Sequence, residues 1–135
     1  MKYNFIKFFI IFFFIFFLKL NILISGTAQN KIFEVKNISV EIESTTSTNA
    51  KEIALLEAQE KGFKNLMKKM LLETEYEKIE NINIEKILEF VDAIEIQNEK
   101  TTDRKYIGNL TVIFNEEKVL RYLNRNEIKY KLDTQ

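Results

Sequence analysis

The chain has 135 residues with no His, Cys, Trp or Pro. That composition excludes Ser-His-Asp and Cys-His catalysis, imidazole or thiolate metal sites, and disulfides. The length allows one small domain, residues 29–135, behind a leader. The balance of 20 basic against 20 acidic residues hides an asymmetry, because Lys2, Lys7 and Lys19 all precede Ala28 and no acid does. Beyond Ala28 the count is 17 basic against 20 acidic, a net −3. A mildly acidic domain lacks the positive field that draws phosphate backbones, so nucleic acid and anionic lipid surfaces are not expected partners.

The first segment places Lys2 and Lys7 ahead of an unbroken apolar run, Phe8 to Leu18, of 11 residues. As a helix this run spans roughly half of a bilayer's hydrocarbon core, which fits a signal-peptide core better than a membrane span. Gly26 and Ala28 supply the small residues that a signal peptidase needs, so residues 1–28 read as a signal peptide cleaved after Ala28. The alternative is an uncleaved anchor, since Phe8 to Ile24 tolerates Lys19 near an interface by snorkelling. Both readings send the remainder across the membrane, to a periplasmic location or to an inner-membrane anchor facing the periplasm. An exported domain without cysteines suits a bacterial periplasm, where many domains fold without bridges.

Residues 32–43 alternate with period two, but the apolar parity switches between Val35 and Ile38, predicting a strand with a bulge near Lys36 and Asn37. Asn49 with Glu52 three residues later resembles a capping box and starts a long helix. Within it Ala50, Ala54, Ala58 and Gly62 recur every four positions, letting the helix lie close to a sheet, while Ile53, Leu56, Phe63, Met67 and Met70 form a bulkier stripe. Gly62 costs about 1 kcal/mol relative to Ala in mid-helix, and close approach to a strand compensates. Residues 73–83 read as a charged connection with a partial helical turn.

A short helix over 84–93 presents Ile84, Ile87, Leu88 and Val91 at helical spacing. Ile94 and Ile96 open a strand, Thr101 to Asp103 turn, and Tyr106, Gly108, Leu110, Val112 and Phe114 alternate along a second strand, making a hairpin. Asn115 caps a third helix whose Val119, Leu120, Tyr122 and Leu123 face inward. A last strand, 127–132, alternates Ile128, Tyr130 and Leu132. The order β-α-α-β-β-α-β predicts an α+β two-layer sandwich, a mostly antiparallel sheet with helices on one face.

Two long runs carry a family likeness: FEVKNISVEIESTTSTNAKEIALLEAQEKGFKNLMKKM, and IEIQNEKTTDRKYIGNLTVIFNEEKVLRYLNRNEIKY. Their shared features are the Thr/Ser/Asn helix cap, the Phe63-x-x-Leu66 step, Asn98-Glu99-Lys100, Arg104-x-Tyr106 and Val112-x-Phe114. Over about residues 33 to 130 the chain resembles the opening domain of a proteobacterial envelope family known as domain of unknown function two thousand and sixty-six. The resemblance implies a periplasmic or envelope protein and supplies no catalytic residue.

Carboxylates at Glu73, Glu75, Glu77 and Glu80, and at Glu95 and Glu99, match no metal-loop spacing and alternate with Lys as solvated surfaces do. Gly62 and Gly108 lie too far apart for a phosphate loop. The polar segment Asn98-Glu99-Lys100 with Arg104 and Tyr106 is expected to pair Glu99 with Arg104 across the hairpin turn. No residue is assigned a catalytic, cofactor-binding or metal role, and no cofactor is expected. The reading is a non-enzymatic interaction or accessory module of the bacterial envelope. An envelope protein partner would add a strand at an unpaired edge, expected at 128–132 with Lys129 and Lys131 as guards. The alternative is an accessory subunit tethered to the inner membrane by its own N-terminal segment.

Overall fold

Apolar alternation over Glu34–Glu43 forms β1, and the computed structural model describes the chain from this neighbourhood onward, residues 31–132. The leader and its cleavage point lie outside the described residues. After a short 3-10 turn at Lys31–Phe33 and β1 come α1 (Ser47–Met70), α2 (Glu73–Tyr76) and a second 3-10 turn, Glu77–Ile79. Then follow α3 (Ile84–Phe90), β2 (Val91–Thr101), β3 (Lys105–Phe114) and α4 (Glu116–Arg125). The strands make one antiparallel sheet in the order β1-β3-β2, with helices packed on one face, the expected α+β class.

The bulge expected in β1 is present: the register slips between Val35 and Ile38, and Asn37 takes φ 59°. Asn tolerates this left-handed conformation better than a branched residue would. A second slip, between Gln97 and Lys100 of β2, uses Asn98 in the same way at φ 54°.

Helix α1 begins earlier than the sequence pattern implies. Its N-cap is Thr46, whose Oγ1 accepts from the Asn49 amide at 3.2 Å. Asn49 instead turns its side-chain amide onto the Ser44 and Thr45 hydroxyls. Ala50, Ala54, Ala58 and Gly62 are all buried against the sheet. A Cβ built on Gly62 would lie 3.0 Å from Ile38 Cδ1 and 3.3 Å from Val112 Cβ, so the glycine sets how near the helix approaches. Phe63, Leu66, Met67 and Met70 continue this buried face, whereas Ile53 and Leu56, expected beside them, are 40% and 44% exposed on the outer side.

Helix α3 stops at Phe90 rather than running to Ala93. The Phe90 carbonyl accepts the Asn115 amide at 2.7 Å, and the following Val91 enters β2 opposite Phe114. Phe90 itself stacks on Phe63 at 5.6 Å and tilts against Tyr122 at 5.2 Å, tying α1, α3 and α4 into one layer. Helix α4 is capped as expected: Asn115 Oδ1 accepts from the Lys118 amide, and Asn115 Nδ2 donates to the Asp92 carboxylate.

The expected last strand is corrected. Residues 127–132 do not join the sheet; one antiparallel bridge, Tyr130 to Leu71, and the Lys131 amide donating to the Met70 carbonyl hold them to the end of α1. Glu127, at φ 54°, turns the chain back after α4, and Ile128 is buried there. Glu75 fastens the segment further by accepting from the Lys129 amide and from Lys78. Those two bonds hold the Glu75 carboxyl below the usual range, the Lys78 bond more strongly.

Candidate functional site

The polar segment singled out in the sequence folds differently from expectation. Glu99 does not meet Arg104; it accepts a 2.6 Å hydrogen bond from Lys51 on α1. Arg104 turns its Nε to the Ser44 carbonyl, and the backbone bonds Ser44 to Arg104 and Ser47 to Asp103 tie the hairpin turn to the start of α1. That tie already occupies the Ser47 amide, and Thr46 occupies the Asn49 amide, so the positive end of α1 is largely satisfied from within the chain.

Beneath the Lys51–Glu99 pair lies Tyr106, fully buried, with the Lys51 ammonium 5.7 Å from its ring centroid. The ring folds back over Gly108, where an added Cβ would sit 3.3 Å from the phenol oxygen. Its hydroxyl meets no partner at full hydrogen-bond geometry, although the Glu99 carboxylate stands near enough to interact weakly with it. Burial, reinforced by the Glu99 charge, pushes the Tyr106 phenol up, away from ionisation. The Lys51 bond holds Glu99 below the usual carboxylate range, and the same bond raises Lys51. The phenol is neutral and inaccessible beneath the exposed ion pair. The cluster locks α1 onto the hairpin.

A different group of residues, scattered in sequence, converges where α3 meets α4. Lys118, Arg121 and Arg125 follow one another at i, i+3 and i+7 on α4, and Lys86 faces them from α3. Together with Glu89, Phe90, Tyr122 and Asn126 they line a cavity of about 450 Å³. Lys86 is fixed above its aromatic floor, 5.7 Å from the Phe90 centroid and 6.0 Å from that of Tyr122. The sequence pattern carried one signal for this site, the basic spacing on α4. The opposing Lys86 emerges only once the two helices are packed.

The sheet offers a second open feature. Strand β2 pairs with β3 on one side only, and none of its 11 residues is buried. Ile94 and Ile96 stand opposite Val112 and Leu110, which places them on the helix-bearing face. Helix α1 packs on β1 and β3, leaving Ile96 36% exposed.

Among the described residues no group of three or more acidic side chains is arranged to hold a metal ion, and no helix is long and apolar enough to cross a membrane. No family model, curated protein or solved structure matches the chain.

Proposed function

We propose that the chain is an exported, non-enzymatic interaction module of the bacterial envelope that accepts a strand from a protein partner along the open edge of β2. The supporting observation is the state of that strand: 11 residues, none buried, one free edge, and on the helix-bearing face Ile96 exposed beside an Ile94 only partly buried against the core. A guest strand would satisfy the free backbone groups and cover both isoleucines, the recurrent logic of strand addition. Residues 127–132 are occupied at the end of α1, so the proposed docking edge moves from there to β2. Export rests on the leader, with positive residues ahead of a short apolar run and small residues at 26 and 28. The resemblance to the proteobacterial envelope family points the same way.

A photo-crosslinking residue at Glu95 or Gln97 of β2, compared with one at Glu41 of β1, tests the edge in living cells. The expected result is an adduct with one envelope protein from the β2 positions alone. Addition of that purified protein should then protect alternate β2 amides from hydrogen exchange. Adducts equal at both edges, or no amide protection, would sink the reading. Mass spectrometry of the native N-terminus separates a free periplasmic domain, beginning at Gln29, from the tethered alternative, which keeps Met1 in the membrane fraction. Met1 retained on cytosolic protein would overturn export altogether.

A further inference from the structure

We infer that the cavity between α3 and α4 binds a phosphate group, carried either by a small soluble phosphate ester or by a phospholipid headgroup. The lining is charge-segregated. Four cations, Lys86, Lys118, Arg121 and Arg125, reach it from both walls, against one lining carboxylate, Glu89. The carboxylates that engage two of these cations stand outside the lining: Glu117 bonds Arg121, and Asp92 lies 3.9 Å from Lys118.

The ordinary account of such residues is a solvated face of intrahelical ion pairs. It covers Lys86–Glu89 and Arg121–Glu117, but Arg125 has no carboxylate partner among the described residues, and its guanidinium adds a net positive charge to the groove. Exposed pairs of this kind contribute little, so exchanging one for a stronger anion costs little. A phosphate group is such an anion, because charge-assisted bonds from an arginine fork are roughly twice as strong as neutral ones.

Cations on two walls suit a tetrahedral phosphate better than a planar carboxylate. A carboxylate presents two coplanar oxygens and suits one fork, whereas a tetrahedral group turns oxygens toward both walls at once. Here Lys86 approaches from α3, its ammonium held over Phe90 and Tyr122, while Arg121 and Arg125 approach one helical turn apart from α4. The net −3 of the domain does not decide the matter locally, since none of Glu73, Glu75, Glu77 and Glu80 lines the cavity.

The full chain, reconstituted in zwitterionic nanodiscs, tests the inference by NMR of the arginine side-chain N–H groups at constant ionic strength. One arm titrates glycerol phosphate; the other replaces part of the lipid with phosphatidylglycerol. Saturable shifts at Arg121 and Arg125 are expected in at least one arm, and the arm that responds names the source of the phosphate. The double variant R121Q/R125Q lacks both reporter arginines, so its binding is followed by the backbone amides of Lys86 and Tyr122; it should weaken binding about tenfold or more, as loss of two charge-assisted bonds requires. The control K68Q/K69Q, on the last turn of α1, should bind unchanged, and matching thermal melts confirm that both variants fold. Absence of saturation in both arms, undiminished binding by R121Q/R125Q, or an equal response to acetate would overturn the assignment.

Discussion

Tyr106 shows how a single side chain can be central to the packing and still carry a blemish. Its ring fills the space that Gly108 leaves open and supports the Lys51–Glu99 pair, yet its buried hydroxyl has no well-formed hydrogen bond, only a weak approach to Glu99. A polar group stripped of water without a replacement bond costs about 1–3 kcal/mol. Replacing Tyr106 by Phe keeps the ring and removes the orphan, so the variant should be more stable by about 1 kcal/mol, raising Tm by roughly 4 °C or more. Chemical denaturation of the two proteins measures this directly. A less stable Tyr106→Phe would mean that the hydroxyl is bonded in solution. The polar neighbours of Tyr106 were visible in the sequence as a cluster, but their pairing was not. Local hairpin geometry favoured Glu99 with Arg104, whereas the packing of α1 brings Lys51 to Glu99 from 48 positions away. No rule confined to neighbouring residues reaches that contact.

Helix α1 illustrates which regularities survive folding. The four-residue recurrence of Ala50, Ala54, Ala58 and Gly62 was readable because small side chains at that spacing have one evident use, close approach to a flat surface. Two opposing effects meet at Gly62. Gly62→Ala gains about 1 kcal/mol of helix propensity, but its methyl would sit 3.3 Å from Val112 Cβ, an atom attached to the central strand and unable to step aside. Overpacking of that kind costs about 1–3 kcal/mol, so the crowding wins and the variant should lose about 1 kcal/mol, with Gly62→Val losing more. Equilibrium unfolding in urea checks the sign. A gain in stability would show that the helix rides higher on the sheet than described. Other boundaries were hidden for identifiable reasons. Thr46 displaced Asn49 as cap because the hairpin turn reaches back to the Ser47 amide, and Phe90 ends α3 because β3 delivers the Asn115 amide to its carbonyl. The strand pattern at 128–132 was equally convincing, but Leu71 is its single bridge partner and no sheet edge receives it.

The whole molecule is one sheet with unequal edges, and stability should be distributed accordingly. Strand β3 is flanked on both sides and contributes Tyr106, Leu110, Val112 and Phe114 to the core, whereas β2 contributes no buried residue. Native-state hydrogen exchange should find β3 amides opening only with global unfolding. Alternate β2 amides, those directed away from β3, should exchange as fast as loops. Uniform protection along β2 in the isolated chain would show that something already covers its edge, most simply a second copy. The fold class was accessible from periodicity, since strands and helices alternate their apolar spacing cleanly. The cavity was not, because its lining comes from two helices separated by a hairpin and its one sequence signal, basic spacing on α4, resembles any solvated face.

The two asparagines that slip the register, Asn37 on β1 and Asn98 on β2, have an effect beyond local geometry. Each puts a kink in a strand that would otherwise offer a long straight margin. On β2 the uninterrupted stretch runs from Ala93 to Gln97, between one irregularity after Val91 and the next before Lys100. On the proposed reading a guest strand of about five residues would fit there, while a longer ribbon would lose step at either kink. The same kinks would interrupt edge-to-edge stacking of identical copies, the usual effect of bulges on an open edge.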